Sequence, residues 1–226
     1  MALIPIRRYG DPILRKKTTP AEEIDERITV LAEDMIETMY TAEGIGLAAP
    51  QVGESIRLIV VDKSPGDELR EAIVMVNPEV LETLGEDIRE EGCLSIPDIR
   101  EEVVRPETII SRFQTLSGEW VTVRCRGLLA RVILHEVDHL DGVLFIDRIS
   151  PLRRQFLRGR LRTMAIETRQ EMEKHKKAER EKGRKRAGID PVEGREPTQW
   201  VGGRVERKRG KREISSSPVP LPALRT

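Results

Sequence analysis

The sequence predicts an α+β domain on three observations: apolar residues at helical spacing near the start, short β-type runs in a separate central block, and a second helical block after them. Residues 20–43 carry Ile24, Ile28, Leu31, Met35 and Met39 on one helix face. Thr19 is placed to cap this helix, Pro20 suits its first position, Glu22 completes a capping box, and Gly44 follows as a stop. Residues 56–61 (IRLIVV) and 73–76 (IVMV) end in Asp/Ser/Pro/Gly or Asn-Pro and read as strands. Residues 108–116 and 119–124 form a hairpin around Ser117-Gly118. A second helix is expected over 127–140, where Leu128, Leu129, Val132, Ile133, Val137 and Leu140 are apolar and Gly142 lies beyond the end. A third starts at Ser150-Pro151 and runs to about residue 180, with Leu152, Phe156, Leu157, Leu161 and Met164 expected to dock on the body.

Composition narrows the class further. Aromatic residues are only 3% of the chain, so aliphatic side chains must fill the core. No apolar run approaches the roughly 18–20 residues that span a bilayer. The opening MALIPIRRYGDPILR lacks the features of a secretory leader, so a cytoplasmic protein is expected. Two cysteines make no disulfide framework. The net charge of zero conceals two different materials. Residues 1–150 hold 17 basic and 29 acidic side chains, a net −12, and residues 151–226 hold 22 and 10, a net +12. From about residue 183 Gly, Pro, Ser and basic residues dominate, and such a segment is expected to be disordered.

The chemistry concentrates at His135-Glu136-Val137-Asp138-His139, inside the second helix. Histidines at i and i+4 share a face, so both imidazoles reach one metal ion. Glu136 between them is placed to take a proton from an activated water. The pentapeptide also occurs in helices where the two histidines are merely surface residues. Here the helix is strongly apolar, so its polar group should face inward, where an unpartnered cluster would be costly. A third ligand is needed beside an open position. The only later histidine, His175, lies in the charged region, and Cys93 in Glu91-Gly92-Cys93-Leu94-Ser95 is the better candidate. Cys125 is the rival, but between arginines on a hairpin strand it reads better as a small packed side chain. Gly44-Ile45-Gly46-Leu47-Ala48-Ala49-Pro50-Gln51 has the small residues that let backbone approach a ligand, although alone it reads as a helix stop and turn.

Taken together, GIGLAAPQ, EGCLS and HEVDH, in this order, resemble the three signature motifs of the peptide deformylase family. The resemblance extends to YGDPILR, to VNPEV at 76–80 and to LDGVLFIDRISPL at 140–152, and covers roughly residues 5–165. It implies antiparallel sheets around a central metal-binding helix, with an N-terminal and a C-terminal helix. The catalytic domain would occupy 1–165, and 166–226 would be a basic helical extension with a disordered tail. The implied metal ligands are Cys93, His135 and His139. Glu136 would be general base and then general acid, and Gln51 and the Leu94 N–H would stabilise the oxyanion. Gly46 would pair with the substrate backbone, and Ile45, Leu128 and Val132 would line a methionine pocket. Arg100 and Arg105 resemble two arginines that flank the site, with ion pairing to nearby acids as their expected role. Leu134, before the first histidine, departs from the Gln that many members carry.

The implied activity is removal of the N-formyl group from the N-terminal methionine of nascent polypeptides, with release of formate. The implied cofactor is one divalent ion, Fe²⁺, with Zn²⁺, Ni²⁺ or Co²⁺ as substitutes. Two alternatives differ in class. A metallopeptidase built on the same pentapeptide would need a ligand downstream of His139. A non-catalytic member that binds ribosomes or nucleic acid would tolerate loss of Glu136 or Gln51, and both are present. The basic C-terminal region is expected to attach to the ribosome, and no membrane partner is expected.

Overall fold

The computed structural model describes residues 2–64 and 70–186, with side chains described to residue 182. The expected tail beyond residue 186 lies outside the described residues. Among the described residues seven strands and three α-helices form, and every strand pair is antiparallel. A five-stranded sheet has the order β1 (Gly46–Ala48), β2 (Leu58–Asp62), β3 (Ala72–Leu84), β6 (Thr108–Gln114), β7 (Trp120–Arg126). A separate ribbon pairs β4 (Asp87–Cys93) with β5 (Ile96–Arg105). The α+β class and the helix at the centre of antiparallel sheets are as expected.

Strand β2 shows why its sequence is an unbroken apolar run. Successive side chains point to opposite faces. Ile59 and Val61 pack with Ala130, Ile133 and Leu140 of α2 (Gly127–Leu140), whereas Leu58 and Val60 pack with Ile28, Ala32, Met35 and Met39 of α1 (Glu26–Thr41). One strand thus serves two cores. A third core joins Ile99 and Val103 of β5 to Leu144, Phe145, Ile146 and Ile149 after α2, and to Leu157 and Leu161 of α3 (Pro151–Arg186).

Four expectations change. Helix α1 starts at Glu26, not near residue 20, because the Asp25 carboxylate accepts from the Ile28 N–H and caps it there. The preceding segment is held out of the helix by the Asn77 side chain, which accepts from the Ala21 N–H and donates to its carbonyl. Thr19 therefore caps nothing and instead bridges toward Ile56. At the other end the left-handed residue is Glu43 rather than Gly44, and the Glu43 and Gly44 N–H groups close back on Tyr40 and Met39 carbonyls. On α3, Leu157 and Leu161 dock as expected and Met164 is half-buried, but Leu152 is 63% and Phe156 74% exposed. The docked stripe runs through 157, 161, 164 and 168, and positions 152 and 156 lie off that face. Strands β4 and β5 appear where no strand is legible.

Helix α2 occupies its expected span, and its ends explain its position. Thr18 donates from both its backbone and its hydroxyl to the Leu140 carbonyl. Gly142, at φ 73°, turns the chain sharply while its Cα approaches the N-terminal segment. A Cβ there would lie 2.7 Å from the Arg15 carbonyl oxygen, so only glycine fits both demands. The helix therefore stops one residue past His139 and keeps both histidines beside the β4–β5 ribbon.

Candidate metal centre and substrate cleft

His135 and His139 stand one turn apart on α2, on the face turned toward β4. Cys93 closes β4, where the chain turns through Leu94 and Ser95 into β5. Its Sγ lies 3.2 Å from His139 Nε2. One donor atom each from Cys93, His135 and His139 lies within 4.8 Å of the others. Tetrahedral coordination at ordinary metal–sulfur and metal–nitrogen lengths separates such donors by about 3.6 Å. The donor set therefore fits one divalent cation. Burial, reinforced by the charges of His135 and Arg105, holds His139 well below the ordinary imidazole value, whereas the hydrogen bonds to Cys93 and Glu91 outweigh burial at His135 and raise it. Among the described residues, the buried Glu136 Oε2 has no hydrogen-bond partner. A buried polar atom in that state implies a partner from outside the chain.

Glu91 organises one side of the centre. Its Oε2 lies 3.0 Å from His135 Nδ1, which fixes the ring so that the other nitrogen faces the cluster. Arg105 donates to both Glu91 oxygens at 2.7 and 2.9 Å and to Asp138 Oδ2 at 2.7 Å. Arg131 donates to Glu91 Oε1 at 2.7 Å. Burial opposes the charge on Glu91, but the hydrogen bonds from Arg105 and His135 outweigh it and bring the carboxyl down to about 2. Glu136 differs: burial raises it to about 7, with His135 and Arg105 only partly offsetting the rise.

The remaining candidates line one cleft of about 690 Å³. Ile45, Gly46, Gln51, Cys93, Leu94 and Glu136 lie on it, as do Leu128, Val132, His135 and Arg100. Gly46 is there for close approach: a Cβ would sit 2.5 Å from Glu136 Oε1 and 2.7 Å from Val132 Cγ1. The Gln51 amide is held by the Ala48 N–H on its oxygen at 2.7 Å. Its nitrogen is thereby turned toward Cys93 Sγ, 3.6 Å away, and Ser95 Oγ, 3.3 Å away. Leu94 borders the cleft while its side chain packs in the α1 core. Arg105 is an ion-pairing residue, buried away from the mouth. Cys125 lies in the core between α2 and the large sheet, where burial pushes its thiol upward. His175 is exposed on α3, so the ligand that a metallopeptidase would need after His139 is absent among the described residues.

Sequence reasoning gave no role to Glu91, Arg131, Asp138 or Ser95. Glu91 lies within a motif that was legible, but its partner His135 is 44 positions away and nothing local points to it.

A sequence model of the family described as Polypeptide deformylase matches residues 3–155. The peptide deformylase of Acidobacterium capsulatum is 50% identical over 164 residues, spanning 73% of this chain and 96% of that protein. The crystal structure of the peptide deformylase from Thermotoga maritima superposes with a TM-score of 0.63 at 46% identity, covering 67% of this chain and all of that one. A class I type b peptide deformylase from Acinetobacter baumannii, crystallised with Met-Ala-Ser bound, gives 0.62 at 39% identity, covering 66% and 99%.

Proposed function

The chain belongs to the polypeptide deformylase family, and on that premise we propose that it hydrolyses the N-formyl group from the N-terminal methionine of new polypeptides. The observation that carries the reading is the convergence of Cys93, His135 and His139, the first two lining a cleft that also holds Glu136 and Gln51. The Met-Ala-Ser peptide in the A. baumannii enzyme supports a cleft that takes a peptide beginning with methionine. Neither alternative class is favoured by the site.

The family is metal-dependent, and Cys93, His135 and His139 would hold one divalent ion, with Fe²⁺ as our assignment and Zn²⁺, Ni²⁺ or Co²⁺ as substitutes. When bound, the ion activates a water as nucleophile at neutral pH and polarises the formyl oxygen. The chain's own residues do the rest. Ile45, Leu128 and Val132 receive the methionine side chain, and Gly46 leaves room for the substrate backbone beside Glu136. Glu136 accepts the water's proton as the oxygen bonds to the formyl carbon. Gln51 Nε2 and the Leu94 N–H donate to the developing oxyanion, each such donor contributing about 3–4 kcal/mol. Glu136 then delivers its proton to the amine as the C–N bond breaks, leaving formate and a free N-terminal methionine.

The expected setting is the cytoplasm, and no helix among the described residues is long and apolar enough to cross a membrane. The basic C-terminal region is assigned to ribosome attachment, where the substrate emerges. The activity is tested by loading the protein anaerobically with each ion and measuring formate and free amine from a formyl-Met peptide. Equal release of both is expected. No formate from any metal-loaded form would overturn the reading.

A further inference from the structure

We propose that Arg131 is a positioning residue for the metal centre, acting on His135 through Glu91. This rests on the assignment of His135 as a metal ligand. Arg131 and His135 are one turn apart on α2, so a guanidinium and an imidazole stand side by side on one helix face. The Glu91 carboxylate spans them, with Oε1 accepting from Arg131 Nη1 at 2.7 Å and Oε2 facing His135 Nδ1 at 3.0 Å. The same guanidinium donates to the backbone carbonyls of Val103, at 2.9 Å, and Asp87, at 2.6 Å. Arg131 therefore fastens α2 to both strands of the ribbon and fixes where Glu91 sits between them.

Arg105 does a different job. Its fork donates to both Glu91 oxygens and runs on to Asp138. With Arg131 removed, the strongest donors left on Glu91 all belong to Arg105, and the carboxylate pivots toward that fork. His135 then loses the acceptor that holds its ring. The neighbouring Leu134 packs into the apolar cluster and offers the imidazole no polar support. The Arg131 side chain is almost fully buried, so its contacts are not diluted by solvent.

The test uses full-length protein loaded with Co²⁺, comparing wild type with Arg131→Met, Glu91→Gln and the double variant. Ion affinity is read by competition with a chelator and ligand geometry by the visible spectrum of bound Co²⁺, with circular dichroism to establish folding. Arg131→Met is expected to lower affinity by about 10–100-fold, the scale for groups that orient metal ligands, and to change the spectrum. The double variant should lose no more than Glu91→Gln alone, since residues acting through one contact are not additive. Wild-type affinity and spectrum in folded Arg131→Met, or losses that add in the double variant, would overturn the proposal. Should the Met variant fail to fold, Arg131→Gln takes its place, keeping a polar amide but not the cation for Glu91, with the same two outcomes. A wild-type protein that binds no Co²⁺ would instead overturn the metal assignment itself.

Discussion

Two buried glutamates flank His135, and their surroundings give them opposite characters. Glu91 is held as an anion near 2, because hydrogen bonds from Arg105 and His135 outweigh its burial. Glu136 has no such donors, and its burial carries it up to about 7. The first is suited to holding an imidazole and the second to exchanging a proton near neutral pH. Glu136→Gln should therefore retain the metal and lose at least about 10²-fold in turnover. Metal analysis beside steady-state rates decides this, and wild-type turnover in a loaded Gln variant would remove Glu136 from the mechanism. The two cysteines divide in the same way. Cys93 lies 3.2 Å from His139 Nε2 whereas Cys125 is packed in an apolar core. Cys93→Ser should sharply weaken metal retention, and Cys125→Ser should leave it unchanged by elemental analysis. Loss confined to the Cys125 variant would reverse the assignment. The histidine pair and Glu136 were legible because helical spacing is local. Glu91 and Arg131 were not, because their chemistry exists only once β4 is laid against α2.

Elements were legible where burial writes a period into the sequence. Helix α2 and the β6–β7 hairpin alternate or repeat cleanly, so α2 is readable to the residue and the hairpin strands to within two residues. The β4–β5 ribbon was not, since DIREEGC and IPDIREEVVR are rich in charge and owe their strand form to pairing and to buried ion pairs. The start of α1 was misplaced because two acceptable caps lie six residues apart, and the tertiary bonds from Asn77 choose between them. The junction of α2 with α3 carries one carboxylate that meets three partners. Asp147 accepts from the Leu144 N–H at 2.9 Å and pairs with Arg15 and with Arg154. Burial opposes its ionisation, but the Arg15 hydrogen bond, the Leu144 N–H and the nearby arginine charges hold it below the usual carboxylate range. A carboxyl depressed by folding stabilises above its unfolded value, and that contribution fades as pH falls through the folded one. The Tm of wild type should thus exceed that of Asp147→Asn most at neutral pH. The gap should narrow once pH drops below about 3.9, the ordinary Asp value. A gap independent of pH would show that the charge on Asp147 contributes nothing.

At the scale of the whole chain, charge is divided along the sequence: net −12 over residues 1–150 and net +12 over 151–226. Every residue assigned to the site precedes residue 140, and among the described residues the last buried position of α3 is Thr168. Beyond Thr168 the described part of α3 is almost entirely exposed and largely charged, so folding of the catalytic body gives no reason for it. A basic appendage on an acidic body is suited to a polyanionic surface, and nascent chains emerge from one made largely of RNA phosphate. Such attachment releases counterions and so weakens steeply as salt rises. Full-length protein should co-sediment with ribosomes at low salt and be released at high salt. A form ending near residue 174 should bind much less and yet deformylate a short formyl-Met peptide at a similar rate, since the peptide needs only the cleft. The two readouts separate the possibilities. Reduced peptide turnover in the short form would mean that the helix end supports the body. Equal co-sedimentation of both forms at low salt would mean that the basic charge beyond residue 174 does not attach this protein to the ribosome.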